Sequence, residues 1–165
     1  MTRYMNPQAR KKIFKLVLSI AACLSAGVMG SFFTAQSVDS WYPLIRKPPI
    51  SPPDWVFAPV WTVLYILMGV SFFLIWIHKF ENRQLKNTLT IFIFQLLLNI
   101  LWSVVFFGFH SIIGGLVVVI LLFGAILWTM KTFSIFSKAA AILLVPYIIW
   151  VGLALVLNLW IFLIN

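Results

Sequence analysis

The side chains in this chain with chemistry to offer are neutral amides, indoles and phenols set inside long apolar runs. Gln95, Asn99 and Trp102 are spaced four and three apart, so on a helix they share one face, which Phe106 extends. Tyr147, Trp150, Ala154 and Asn158 repeat that pattern further on, and Pro59, Trp61 and Tyr65 supply a third set. Carboxamides at membrane depth point toward protein rather than lipid, so the three faces are expected to line one cavity. A large, flat, apolar ring system would bury well there, with the amides meeting its few polar edges. Each residue taken singly also has a plainer reading. Gln95 and Asn99 serve equally as interhelical hydrogen bonds worth about 0.6 kcal/mol each, and Asn158 as a structural amide. The indoles of Trp61, Trp102 and Trp150 serve as bulky packing.

Other chemistries find little support. His78 and His110 lie apart with no second ligand at a useful spacing, so no metal or axial haem site is expected. No nucleophile, base or metal constellation stands out. The second to fifth apolar runs hold no Asp, Glu, Lys or Arg, which leaves a proton-coupled pump without an ionisable group at depth. Cys23 is the only cysteine, so no intrachain disulfide can form.

The elements that must position these residues follow from composition. Of 165 residues, 63% are hydrophobic and 9% charged, and the mean hydropathy is +1.08, far too apolar for a soluble domain. The reading is an all-α membrane protein, a single domain over 1–165 made of a five-transmembrane-helix bundle. The expected spans are Ile13 to Ala35, Trp55 to Ile77, Thr88 to Phe107, Ile112 to Met130 and Ala139 to Leu163. The basic start followed by an apolar run reads as an uncleaved span rather than a signal peptide, because the run is long and lacks a small-residue cleavage pair. Ala22, Ala26 and Gly30, with Gly27 beside them, form a small-residue stripe, read as close packing inside the bundle in preference to a dimer face. Trp41, Trp76, Trp128 and Trp160, near span ends, fit an interfacial belt. Pro146 is expected to bend the fifth span.

Between the first two spans the chain reads W-Y-P-L-I-R-K-P-P-I-S-P-P-D-W-V-F-A-P-V-W-T-V-L-Y, from Trp41 to Tyr65. Its prolines forbid a regular helix before Pro53 and predict a stiff, extended connection. Ser51 with Asp54 reads as a capping box opening the second helix, with Pro52 at its first position. Ten Lys and Arg flank the N-terminal side and the second and fourth loops, against only Arg46 and Lys47 on the other side. That bias predicts the N-terminus inside and the proline-rich first loop outside, as a lid over the cavity. The net charge of +9 is therefore assigned to topology and lipid headgroups, and no nucleic-acid partner is expected.

These residues together resemble the TspO/MBR family, the tryptophan-rich sensory and translocator (peripheral benzodiazepine receptor) proteins. The resemblance rests on the Trp41 to Tyr65 stretch, on Gln95 with Asn99 and Trp102, and on Pro146 to Asn158. It covers nearly everything from Gly27 onward. It implies a five-helix bundle, homodimeric, whose first loop caps a cavity that takes protoporphyrin IX or haem, sterols, or isoquinoline carboxamide and benzodiazepine ligands. Carried over by motif, the ligand-binding set is Trp41, Tyr42, Trp61, Tyr65, Gln95, Asn99, Trp102, Phe106, Tyr147, Trp150 and Ala154. Arg46, Lys47, Pro48, Pro52 and Pro53 belong to the lid. The function implied is tetrapyrrole sensing, buffering or transport with no obligatory cofactor, in the bacterial cell membrane. Two alternatives accompany it: light-driven degradation of protoporphyrin IX by a pair matching Trp61 and Trp150, and a lipid or sterol transporter or scaffold. The chain departs from the animal members after Asn158, where L-W-I-F-L-I-N lacks the Tyr and basic residue of their cholesterol motif.

Overall fold

The computed structural model describes residues 6–78 and 83–165; Arg3 and Lys79, which enter the charge count, lie outside them. Among the described residues five helical segments are long and apolar enough to cross a membrane. Helix α1 spans Pro7–Val38, α2 Phe57–Trp76 and α3 Arg83–Ser103. Helix α4 spans Ile112–Phe136, and the last passage is made of α5, Lys138–Leu143, and α6, Val145–Ile164. The chain is a five-helix membrane bundle. Helix α1 packs on α2 and α3, α3 on α4, α4 on α5 and α6, and α5 back on α2, which closes a ring.

Several ends differ from the hydropathy reading, each for a local reason. Helix α1 starts early because the Asn6 side chain accepts from the Gln8 amide at 3.0 Å, with Pro7 as the next residue. At 32 residues it is about 48 Å long, well beyond a hydrocarbon core of about 30 Å, so its basic first turns project past that core. Lys15 has a partner across the bundle: its ammonium lies 3.4 Å from the Trp76 carbonyl and 5.4 Å from that indole, at the C-terminal end of α2. The loop expected over Lys131 to Lys138 is mostly helix, because Phe133 continues the buried stripe of Leu122, Ile126 and Thr129 and stacks on Phe92. Only Ser137 breaks the chain there. It is extended, its amide donates to the Phe133 carbonyl at 2.8 Å and its hydroxyl accepts from the Ala140 amide at 3.2 Å. The expected bend at Pro146 is an interruption at Leu144, after which the proline falls in the first turn of α6, where it costs no hydrogen bond.

The capping box at Ser51 does not form. Pro53 stays extended (φ −57°, ψ 144°), so helical structure begins only with a 3-10 turn at Asp54–Val56 and Ser51 lies too early in the chain to cap it. The Ser51 hydroxyl is buried without a hydrogen-bond partner among the described residues.

The two halves of the bundle differ in packing. Away from the first loop the interior is packed with rings, Phe72, Phe92 and Phe133 stacking in series at 4.8 and 5.6 Å, and Met68 and Ile75 are fully buried. A Cβ added at Gly69 would stand 2.5 Å from the Ile20 Cα, so α1 and α2 touch backbone to backbone there. Toward the loop α3 ends in a π-helical turn, Val104–Gly108. The extra residue turns both Phe106 and Phe107 inward.

Candidate functional site

The neutral polar residues at depth form one connected chain of hydrogen bonds. Tyr65 donates to Asn99 Oδ1 at 2.5 Å, Asn99 Nδ2 donates to the Tyr147 hydroxyl at 3.0 Å, and Tyr147 donates to Gln95 Oε1 at 3.0 Å. All four side chains are buried. The chain ties α2, α3 and α6 together and uses each phenol proton once, which leaves Gln95 Nε2 without a partner among the described residues. A second link joins Trp102 Nε1 to Asn158 Oδ1 at 3.4 Å, while Asn158 Nδ2 donates to the Ala154 carbonyl at 2.8 Å.

Beside this chain, on the loop side, lies a cavity of about 430 Å³, within the range of small-molecule sites. Its walls come from α1, α2 and α3. Helix α2 supplies Phe57, Trp61 and Tyr65, and α3 with its π turn supplies Asn99, Trp102, Ser103 and Phe107. Helix α1 supplies Leu24, Gly27, Gly30, Ser31, Thr34 and Val38, and the loop adds Tyr42 and Asp54. Trp61 stacks on Tyr65 at 5.6 Å and meets Tyr147 edge-on at 6.2 Å; Trp102 stacks on Phe106 at 5.6 Å. The result is an aromatic pocket with one carboxamide at its floor.

The first loop lies over this end and is tied at several points. The Arg46 amide donates to Asn165 Oδ1 and Asn165 Nδ2 donates to the Arg46 carbonyl, both at 3.0 Å. Trp41 stacks on His110 at 4.7 Å and meets Phe106 edge-on at 5.4 Å. His110 sits in the left-handed region, φ 52°, and its Nε2 is 3.1 Å from the Ser37 hydroxyl. That hydroxyl gives its proton to the Phe107 carbonyl at 2.6 Å, so His110 Nε2 is the donor of the pair. Tyr42 is buried under the loop, with the Lys47 ammonium 4.3 Å from its ring. Burial, and then the charge of Asp54, push the Tyr42 phenol up to about 12.

The structure places the expected residues in two groups. Tyr42, Trp61, Tyr65, Asn99 and Trp102 line the cavity. Gln95 and Tyr147 stand behind Asn99 as its hydrogen-bonded support, and Phe106 stands behind Trp102. Trp41 sits above Phe106 on the loop. Trp150 meets Phe57 edge-on at 5.8 Å, one ring behind the wall, and Ala154 contributes its carbonyl to Asn158. Among the lid residues Pro48 is buried and Pro52 half-buried, while Pro53 and Arg46 are exposed. The α6 residues Tyr147 and Trp150 stand against the wall residues Trp61 and Phe57, and α1 supplies the third wall of this cavity. Sequence reasoning missed it, although Gly27, Ser31, Thr34 and Val38 recur at helical spacing as a small and polar stripe. Asp54, read from sequence only as a capping residue, puts a carboxylate at the rim.

A membrane bundle of five helices with an aromatic, amide-floored cavity under a proline-rich loop defines the class. The chain belongs to the TspO/MBR family, which it matches over residues 19–163. It is 46% identical over 154 residues to a tryptophan-rich protein TspO of Archaeoglobus fulgidus, covering 93% of this chain and 98% of that one. It is 36% identical to the protein CrtK of Rhodobacter capsulatus, covering 83% and 84%, and 35% identical to the human translocator protein, covering 79% and 78%.

Proposed function

We propose that the protein binds a porphyrin-type tetrapyrrole, protoporphyrin IX or haem, in the cavity between α1, α2 and α3, and that it senses, buffers or moves that ligand in the membrane. The observation that carries the reading is the pocket of about 430 Å³ walled by Tyr42, Phe57, Trp61, Tyr65, Trp102 and Phe107. Such walls favour a flat apolar ring through area and stacking. Asn99 is the polar contact at the floor, fixed by Tyr65 and Tyr147 on either side. The Lys47 ammonium, 4.3 Å from the ring of the cavity residue Tyr42, is a cation on the loop for acidic side groups of the tetrapyrrole.

The test is titration of the purified protein with protoporphyrin IX, following quenching of tryptophan fluorescence. Saturable quenching is expected, weakened at least about tenfold when Trp61→Ala and Trp102→Ala are combined, since each removes a stacking face worth about 1 kcal/mol. Unchanged affinity in the double variant would place the ligand elsewhere. Illuminating the complex under air and analysing the products separates binding from degradation: a binder yields only what free porphyrin yields.

A further inference from the structure

We propose that the cavity is loaded sideways from the bilayer, through a gap between the loop-side halves of α1 and α2, by ligands already dissolved in lipid. The inference rests on the binding reading above and adds the route. Far from the loop the two helices are in backbone contact at Ile20 and Gly69, and at Gly27 an added Cβ would meet the Tyr65 ring at 2.5 Å. Beyond that point α1 leaves α2 and follows α3. A Cβ at Gly30 would be 3.1 Å from the Ser103 hydroxyl, one at Gly108 would be 2.9 Å from the Phe33 ring, and Ser37 bonds the Phe107 carbonyl. The divergence opens a slot.

The residues on its two lips line the cavity and are also exposed on the outer surface of the bundle: Val28, Ser31 and Ala35 on α1, Ala58 and Thr62 on α2. Four of the five are small. The two lip hydroxyls are spent on their own helices, Ser31 on the Val28 carbonyl at 2.9 Å and Thr62 on the Ala58 carbonyl at 2.8 Å. The slot therefore presents no unpaired donor to hydrocarbon. Val28 lies ten residues before the end of α1, which puts the slot's deep end about 15 Å into a hydrocarbon core of about 30 Å. The loop is the better-fastened side, held by the Arg46 to Asn165 pair and the Trp41 to His110 stack.

The experiment uses the full chain in vesicles, with protoporphyrin IX as probe and stopped-flow tryptophan quenching as readout. At a fixed aqueous concentration of probe, the vesicle lipid is changed to one into which the probe partitions more strongly. Lateral loading makes the association rate rise with the mole fraction of probe in lipid; a rate that stays with the unchanged aqueous concentration overturns the proposal. Ala58→Phe, which narrows the slot, is expected to slow association and dissociation together by about tenfold or more, as a raised barrier does. Asn165→Ala, which cuts the Arg46 tie of the loop, is expected to change neither. Faster exchange in Asn165→Ala with unaltered rates in Ala58→Phe would assign entry to the loop and refute the slot. Absence of saturable quenching in the unsubstituted protein would refute the binding reading itself, an outcome distinct from either rate pattern.

Discussion

The Tyr147 hydroxyl is a single atom that ties α6 to two residues of α3. It accepts from Asn99 Nδ2 and donates to Gln95 Oε1, in a site with no exposure at all. Tyr147→Phe keeps the ring and removes only that oxygen, orphaning a donor and an acceptor whose partner amide already carries one unpaired nitrogen. The gain from a hydrogen bond in a membrane bundle is small, about 0.6 kcal/mol. The cost of stranding buried polar groups is larger, about 1–3 kcal/mol, and should decide the outcome. A lower thermal midpoint in detergent is expected, together with weaker porphyrin binding, since Asn99 loses one of its two restraints. Tyr42 reports on the loop instead. Its phenol is shifted from 10.0 to about 12, so the fold favours the neutral form. That contribution is fully present below pH 10, erodes as the unfolded phenol ionises, and is lost as pH rises through 12. Thermal scans from pH 9 upward should show this alkaline loss, and Tyr42→Phe, with no proton to release, should flatten it relative to the parent.

At the scale of the helix, glycines distinguish contact from open space. Gly69→Ala on α2 would drive a Cβ to 2.5 Å from the Ile20 Cα, a backbone atom that cannot turn aside, whereas Gly124→Ala on α4 meets nothing within 4 Å. The first change should destabilise the bundle by about 1–3 kcal/mol through forced separation of α1 and α2. The second should be neutral or stabilising by up to about 1 kcal/mol, because alanine is the better helix former. Midpoints of thermal unfolding in detergent for the pair check both signs. The same scale shows what the sequence could reveal. Five spans were legible because hydrocarbon demands about 20 apolar residues per crossing, a requirement written in composition alone. The continuation of α4 to Phe136 was not, because Lys131, Thr132 and Ser134 lower the hydropathy while Phe133 is held by a stack with Phe92, distant in sequence. Tyr147, Trp150 and Ala154 share one face of α6 by their spacing. Periodicity tells which residues look the same way, but whether they look at a void or at packed neighbours depends on the helix opposite. Here α1 stands at the void, and its Gly27, Ser31 and Thr34 resemble ordinary packing residues until the slot beside them is seen.

The whole molecule is polar along its length in a way that fixes what each end meets. The N-terminal side, the second loop and the junction of α4 and α5 share one end: Lys15 contacts Trp76, His78 lies 6.3 Å from Phe136, and Ser71 bonds the Ala140 carbonyl at 2.7 Å. Ten of the twelve Lys and Arg belong to that end by sequence. The opposite end gathers Arg46 with Asn165 and Trp41 with His110, and by sequence carries Arg46 and Lys47. Positive residues beside short loops are retained on the cytoplasmic side, so the cavity end should face away from the cytoplasm, with the slot in the outer leaflet. Orientation is read by single cysteines placed at each end after Cys23→Ser, a buried site that serine can fill. Leu44→Cys on the exposed loop turn should react with a membrane-impermeant maleimide on intact cells. Ser134→Cys near the end of α4 should react only once the membrane is opened. The reverse pattern would put the cavity on the cytoplasmic face, and the ligands that reach it would then be drawn from the inner leaflet.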